Sequence, residues 1–566
     1  MNSLRQLSFD AIVNLPKAVY EYGARSSGET HGVVLTKPHV VSLILDLAGY
    51  TVDRDLTALS LLEPACGLGA FLVPAVERLL AVADRLKVDV VDLQSPITAY
   101  DIDEDHVARS RETVAALLQK HGVDRRRARA AASRWIVCSD FLLKSQADRF
   151  DVVVGNPPYV RIEQLATELQ GEYRRRYRSL YDRADLYVAF IENALHLLSP
   201  AGVLSFICAD RWTVNKYGAP LRQIVTGGFR INCYVDLHTA SPFESDVIAY
   251  PSIFAISPGI GTSVHVCRLS TGSPEECAAV MPALMSGKTL QQGVTVASYD
   301  SWFDGDEPWV ISSPEHLATL RSLEARFAPI EASGLTKVRI GVATGDDRTY
   351  IVGEGADVEP DRLVPLVMRE DIGDGEIRDA RRFVINTFKD EGGVIDLRQY
   401  PRLAKYFTDH EVDVKRRHVA RKSPASWFRT IDRVYPHVVT MPKLLVPDIA
   451  GSNEVAFETG RFHPHHNLYF VTSDEWDLEV LGGLLSSRIA LFFVWSYAVK
   501  RGGYLRFQAQ YLRRIRLPTP HGLPPGLARS IKTAFRHRDF KKLDDLSLKA
   551  YKISTLPEFD FVDTRR

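Results

Sequence analysis

The stretch Leu61-Leu62-Glu63-Pro64-Ala65-Cys66-Gly67-Leu68-Gly69-Ala70-Phe71 reads as an apolar strand running into a turn of small residues and then a helix. Gly67 and Gly69 permit close backbone approach to a ligand, where a Cβ would intrude. Working outward, the apolar runs 59–62, 97–100, 135–138, 150–154 and 203–208 read as strands. Apolar residues at helical spacing over 70–86, 106–120 and 186–198 read as crossovers between them. This alternation predicts the α/β class with a doubly wound, mainly parallel sheet. Two more runs, 232–237 and 248–256, predict an antiparallel hairpin closing the sheet edge, and the Gly/Pro/Ser-rich segment 257–263 predicts a domain boundary. Beyond it the pattern turns irregular, with short β-like runs at 338–343, 444–446 and 468–471 and two late helices, so a second domain of irregular α+β type is expected.

The sharpest chemical signal is Asn156-Pro157-Pro158-Tyr159, directly after Asp151-Val152-Val153-Val154 and Gly155. Proline has no backbone N–H and pushes the preceding residue to an extended conformation, so Asn156 and Pro157 form a stiff segment that offers acceptors and few donors. The Asn156 side-chain oxygen and the Pro157 carbonyl suit the two hydrogens of an exocyclic amino group, and Tyr159 supplies a ring for stacking. A plain strand-to-loop turn is the alternative; position at a strand's carboxyl end, where open α/β sheets bind ligands, favours function. The glycine turn lacks G-x-G-x-x-G spacing, which favours a nucleoside ligand without pyrophosphate over a dinucleotide. Asp101 ends the second strand, placed to accept from ribose hydroxyls, and Asp140-Phe141 ends the third, pairing an acceptor with an aromatic face suited to adenine. Helix capping is the ordinary alternative for each acid taken singly.

Together and in this order, these residues resemble the class I S-adenosylmethionine-dependent methyltransferases, specifically the adenine-N6 DNA methyltransferases of the gamma, TaqI-like arrangement. The resemblance implies a Rossmann-like catalytic domain, S-adenosyl-L-methionine as cofactor and double-stranded DNA as substrate. Carried over by motif, it implies that Thr36, in Leu35-Thr36-Lys37-Pro38, lies near the methionine end of the cofactor. Glu63, Ala65, Cys66 and Gly67 resemble the first cofactor loop, Asp101 and Ile102 the ribose and adenine contacts, and Asp140 and Phe141 the adenine pocket. Phe190, in Asp185-Leu186-Tyr187-Val188-Ala189-Phe190, matches an aromatic packed on the cofactor. Asn156, Pro157, Pro158 and Tyr159 become the catalytic segment, with Asn156 and Pro158 also touching cofactor, and Phe243, in Ser241-Pro242-Phe243, a second ring against the extruded base. Further on, Gly341-Val342-Ala343-Thr344-Gly345-Asp346 and the stretches 364–369, 443–447 and 511–515 are similar to landmarks of TaqI-like specificity domains. The implied division is a cofactor-binding catalytic domain over 1–262, a connecting segment over 263–330, a target-recognition domain over 331–520 and a helical tail over 521–566. Two departures, the segment 81–96 and the basic insertion Arg125-Arg126-Arg127, leave the motifs untouched.

The 566 residues, 45% hydrophobic and 25% charged, have the composition of soluble globular domains and exclude wholesale disorder. Because 70 basic residues cancel 70 acidic ones, nucleic acid must be met by local patches. One basic group comprises Arg398, Arg402, Lys405, Lys415, Arg416, Arg417, Arg421, Lys422, Arg429, Arg433 and Lys443. A second, Lys500, Arg501, Arg506, Arg513, Arg514 and Arg516, is interleaved with Tyr504, Phe507 and Tyr511. A solvated face is the alternative for either. Six cysteines without a C-x-x-C pair argue against a disulfide framework or a cysteine zinc site and suit a reducing cytosol. His463, His465 and His466 invite a zinc reading, but with no complementary Cys or His group nearby at ligand spacing they are expected as surface or DNA-facing residues, and no metal is expected. No phosphate-gripping loop or nuclease carboxylate cluster stands out, so neither ATP hydrolysis nor cleavage is expected.

The expectation is a cytoplasmic, nucleoid-associated, monomeric DNA methyltransferase with no membrane attachment, acting on N6 of a flipped adenine in restriction-modification or phage defence. A separately encoded restriction endonuclease or a defence protein is the candidate partner. The rivals are a methyltransferase of a protein glutamine or an RNA amine, since related enzymes share Asn-Pro-Pro-Tyr, and an inactive DNA-binding module.

Overall fold

Five strands, β1 (Leu61–Glu63), β2 (Ile97–Asp101), β3 (Ile136–Cys138), β4 (Phe150–Gly155) and β5 (Leu198–Ala209), run parallel in the spatial order β3-β2-β1-β4-β5. The computed structural model in which they are seen describes residues 34–559 apart from 145–147, 246–249, 304, 379, 451–453, 499 and 502–503. β1 is buried throughout and β4 almost throughout, which is why both read as continuous apolar runs rather than as alternating ones. The intervening helices form where expected, at Leu72–Leu86, Glu104–Lys120 and Tyr187–His196. The second is started by Asp103, whose side chain accepts from the N–H groups of Asp105 and His106. From β1 the chain builds outward through β2 and β3, then returns to place β4 on the other flank of β1. That reversal makes the carboxyl ends of β1 and β4 the switch point at which doubly wound sheets bind ligands. The fold is the Rossmann-like α/β type expected.

The chain divides into two units, Met1–Pro314 and Glu315–Arg566. Within the first, the expected hairpin forms from β6 (Phe229–Asp236) and β7 (Pro251–Pro258), but it does not close the sheet edge. β7 inserts antiparallel between β5 and β6; β8 (Val264–Leu269) then pairs parallel with β6, and β9 (Val294–Tyr299) pairs antiparallel with β8. The sheet thus has nine strands, and the segment 257–263 is a turn inside it rather than a boundary. The residues after β9 add to the same core: the tilted rings of Trp302, Phe303 and Trp309 pack in series at 4.2 and 4.1 Å, and Trp309 meets Trp212 at 5.0 Å. The two departures pack on each other. Arg125–Trp135 is a helix capped by Asp124, and its Arg127 pairs with Asp89 and Asp92 of the 81–96 segment.

The second unit has two four-stranded sheets. Thr336–Ile340, Leu468–Ser473, Lys443–Pro447 and Ala456–Glu458 form one, and Ile351–Gly353, Arg382–Ile385, Leu363–Val367 and His463–Pro464 the other. Lys443 and Glu458 form an ion pair with no exposure, further tied by the Phe462 carbonyl and the Gly460 and Arg461 N–H groups. Such a pair is tolerable in a core only with its remaining donors and acceptors satisfied. The late helices Pro525–Arg536 and Phe540–Tyr551 form no detached tail. Gly482 and Gly483 of Leu478–Leu485 have Phe535 and Ile531 where a Cβ would stand, at 2.6 and 2.5 Å. Among the described residues no single helix is long and apolar enough to cross a membrane.

Candidate active site

At the switch point the turns after β1, β2, β3 and β4 enclose a cavity of ≈ 390 Å³, within the size range of small-molecule sites. Its first wall is the turn after β1. Gly67 and Gly69 hold left-handed φ of 51° and 88°, which L side chains rarely adopt. The Cys66 N–H donates to the Tyr100 carbonyl and the Gly67 N–H to Asp101 Oδ2, both at 2.8 Å, while Ser110 Oγ donates to the Gly67 carbonyl at 2.9 Å. Asp101 also accepts the Asp103 N–H at 2.9 Å on Oδ1, so it clamps the loop as well as lining the cavity beside half-buried Ile102. Oδ2 keeps a lone pair for a ligand, while Oδ1 also lies 3.5 Å from His106 Nδ1.

Glu63 is 1% exposed, and neither of its oxygens has a hydrogen-bond partner among the described residues. Burial, reinforced by the charge of Asp101, pushes its carboxyl well above the ordinary range. Burial likewise pushes the Cys66 thiol up, so it lines the cavity as a neutral group next to half-buried Ala65. Six carboxylates line the space, from Glu63, Asp101, Asp103, Glu104, Asp105 and Asp140, and among the described residues no lysine or arginine does.

At the far end Phe141 meets Phe190 at 5.4 Å between ring centroids and Tyr100 at 6.2 Å, forming an aromatic wall. Asp140 accepts the Leu142 N–H on Oδ1 (2.8 Å) and the Tyr173 hydroxyl on Oδ2 (2.6 Å), and burial raises its pKa. Tyr173, on the helix Thr167–Arg176, lines the cavity and escaped the sequence reading, since no local spacing links it to Asp140.

After β4, Asn156 Nδ2 donates to the Val34 carbonyl at 3.1 Å and to Thr36 Oγ1 at 3.4 Å. A carbonyl only accepts, so the amide nitrogen must face it. Oδ1 is then left buried and without a partner among the described residues. The segment carrying Val34 and Thr36 is itself pinned: Thr36 bridges Phe243, the Lys37 N–H donates to the Pro242 carbonyl and the Glu244 N–H to the Leu35 carbonyl, the last two at 2.9 Å. Pro157, Pro158 and Tyr159 line the cavity with Asn156, and burial holds the Tyr159 phenol protonated well above its ordinary pKa.

Of the sequence-expected site residues only Phe243 stays out of the lining. It is 3% exposed and meets Tyr159 edge to face, at 6.4 Å and 80° between rings. The expected two-ring slot is therefore not formed. Phe243 backs Tyr159, because the bridge to Thr36 pulls it into the core.

The basic groups of the second unit are largely consumed by the fold. Arg398 pairs with Asp396, Arg402 with Asp357, Lys415 with Glu411 and Arg416 with Asp413. Arg417 donates to the Thr344, Trp427 and Arg429 carbonyls and to the Tyr350 hydroxyl, Arg433 to the Lys389 and Asp390 carbonyls, and Lys443 is the buried partner of Glu458. In the second group Arg506 pairs with Asp448, Arg513 with Glu331 and Arg516 with Glu324, while Arg514 lies over Tyr497. Phe507 and Tyr511 are buried. The side chains of Lys500, Arg501 and Tyr504 lie outside the described residues. Lys405, Arg421 and Lys422 are exposed and form no ion pair among the described residues. Nor are the histidines all on the surface: His463 and His465 are 4% and 2% exposed, and burial pulls His463 down to about 4.

The profile of the family described as Eco57I restriction-modification methylase matches residues 83–243. Over 532 residues the chain is 43% identical to the type II methyltransferase M.PaeR7I of Pseudomonas aeruginosa, covering 93% of this chain and 92% of that protein. It is 43% identical over 513 residues to the type II methyltransferase M.BstVI of Geobacillus stearothermophilus, covering 87% and 91%. A solved complex of the type IIL restriction-modification enzyme MmeI with DNA shares the fold, with a TM-score of 0.60 at 13% identity over 92% of this chain and 74% of that one.

Proposed function

This chain belongs to the type II methyltransferases of restriction-modification, and from that premise we propose that it moves a methyl group from S-adenosyl-L-methionine to N6 of an adenine flipped out of duplex DNA. The observation that carries the reading is the Asn156 amide. Both its hydrogens are directed at Val34 and Thr36, its oxygen is buried and unpartnered among the described residues, and the next residue is a proline. Two acceptors side by side fit an –NH₂. An exocyclic amine is a poor nucleophile because its lone pair is delocalised into the ring; hydrogen bonds from both its hydrogens to Asn156 and Pro157 localise that pair on nitrogen. Positive charge then develops on the nitrogen during attack, so both bonds strengthen towards the transition state, and after the methyl has left the sulfonium the nitrogen releases one of its two protons to water to give the neutral methylamine. The buried Tyr159 phenol and Cys66 thiol stay protonated, which leaves in-line positioning and these acceptors as the source of rate. Tyr159 offers a ring face to the base and offsets part of the few kcal/mol needed to unstack it.

The cavity's chemistry suits the cofactor. S-adenosyl-L-methionine supplies an electrophilic methyl group on a sulfonium and carries an ammonium. Asp101, Asp103, Glu104 and Asp105, lining the space beside Glu63 and Asp140 whose pKa values burial raises, with no lining lysine or arginine among the described residues, favour a cationic ligand and repel a pyrophosphate. Glu63 would receive the ammonium, Asp101 the ribose hydroxyls, and Asp140, Phe141 and Phe190 the adenine. Adenine as target, rather than another amino-bearing base, rests on the TaqI-like order of the motifs. The same proposal makes the second unit the reader of duplex DNA, the chain a cytoplasmic monomer, and a separately encoded endonuclease its partner in restriction-modification. The test is to offer the full chain methyl-tritiated cofactor with duplex DNA, RNA and mixed protein together. Label in DNA alone is the expected result; label in RNA or protein would refute the reading.

A further inference from the structure

The second unit joins two segments more than a hundred residues apart where three ligand-type side chains converge. Val342 and His465 form a parallel bridge, the Val342 N–H donates to the Pro464 carbonyl at 2.9 Å, and the His466 N–H donates to the Val342 carbonyl at 3.0 Å. Gly341 allows the approach, since a Cβ there would stand 2.2 Å from the His465 carbonyl oxygen. The crossing sets Asp347 beside the histidines. His465 Nε2 lies 3.2 Å from Asp347 Oδ1 and 2.9 Å from His466 Nδ1, and one ligand atom from each residue falls within 4.8 Å of the others. Ligand atoms about 2.0–2.1 Å from a tetrahedral zinc ion are about 3.3 Å apart, close to the two short separations here.

The surroundings are those of a cation site. Thr344 Oγ1 donates to Asp347 Oδ1 at 2.5 Å and fixes the carboxylate, the kind of outer support metal ligands usually have. His465 is buried while His466 is exposed, so the site is anchored in the fold on one side and reached by water on the other. In sequence the three histidines lacked a complementary ligand at metal spacing; the fold supplies it from 118 residues away.

We propose that Asp347 Oδ1, His465 Nε2 and His466 Nδ1 bind one divalent transition-metal ion of the zinc class, with water as fourth ligand. The ion ties the 341–347 segment to the 463–466 segment and so stabilises the second unit.

The test strips the full chain with a chelator and titrates it calorimetrically with Zn²⁺, and with Co²⁺ as a spectroscopic probe. One equivalent of metal should bind, Co²⁺ should give visible bands of a four-coordinate site that Zn²⁺ bleaches, and the metal should raise Tm. Thr344→Val should weaken binding by about 10- to 100-fold, and Asp347→Ala and His466→Ala by more. The metal-free calorimetric transition of the second unit and the far-UV circular dichroism, read in parallel, check that each variant is folded. Absence of stoichiometric uptake by the parent chain, or parent-like affinity in Asp347→Ala and His466→Ala, would overturn the proposal and leave the cluster as a hydrogen-bonded Asp-His-His relay.

Discussion

Replacing Asn156 with alanine separates its two jobs. The substitution removes Oδ1, the unpartnered acceptor, and also strands the Val34 carbonyl and the Thr36 hydroxyl that Nδ2 now serves. The first loss falls on the transition state. One preorganised contact to a centre that gains charge is worth about 2.7–4 kcal/mol, or about 10²–10³ in kcat. The second falls on the fold: two neutral hydrogen bonds at about 1 kcal/mol each lower stability by about 2 kcal/mol, within the 5–15 kcal/mol typical of domains. Asn156→Ala should therefore remain folded and bind cofactor, since the contacts proposed for it at Glu63 and the Gly67 loop are separate from the Asn156 side chain. The assay is single-turnover transfer of a tritiated methyl group to duplex DNA at saturating cofactor and DNA, with cofactor Kd measured by calorimetry. A rate constant down by about 10²–10³ with Kd changed by less than about threefold is expected. A rate near the parent's would refute the acceptor role; an equal collapse of Kd would assign Asn156 to cofactor binding instead.

Glu63→Gln should raise Tm at pH 8 while weakening cofactor binding by about 1.5–3 kcal/mol, the value of a hydrogen bond to a charged group. The sign follows from burial holding the carboxyl pKa above its unfolded value, so its favourable contribution to the fold is present at low pH and lost as pH rises through the folded pKa. For the same reason parent cofactor affinity should tighten as pH rises from the ordinary carboxylate range through the raised pKa of Glu63, and the Gln variant should respond less. Gly341→Ala should destabilise the second unit by about 2–4 kcal/mol, seen as a lower calorimetric transition, with cofactor affinity unchanged. Converting Arg421 and Lys422 to alanine together should reduce the log–log salt slope of DNA binding by about 1.8 if both meet phosphates; an unchanged slope would return them to solvated surface.

What could be read from sequence follows the range of each signal. β1 to β5 were legible because buried parallel strands are short apolar runs, and the residues at or just past their carboxyl ends, Glu63, Asp101, Asp140 and Asn156, mark the ligand edge by position alone. β8 was missed because its pattern, with exposed His265 and Arg268, is that of a half-exposed segment, and only pairing with β6 makes it a sheet strand. Phe243 was placed by a weak motif match, and its packing behind Tyr159 depends on a bridge to Thr36 more than two hundred residues upstream. The basic runs misled because charge counting cannot distinguish a phosphate contact from an intramolecular pair such as Arg398 with Asp396, or from a buried one such as Lys443 with Glu458. Tyr173 beside Asp140 and Asp347 beside His465 are long-range contacts, 33 and 118 residues apart, with no local trace.

The central claim is that the acceptor pair at Asn156 and Pro157 takes the amino group of adenine in DNA. Its most direct test is the nucleoside composition of duplex DNA after reaction with the purified full chain and methyl-labelled S-adenosyl-L-methionine, digested and resolved by mass spectrometry. The account predicts that the label appears as N6-methyldeoxyadenosine. Label in a methylated cytosine, or DNA left unlabelled under conditions where the chain binds its cofactor, would contradict it.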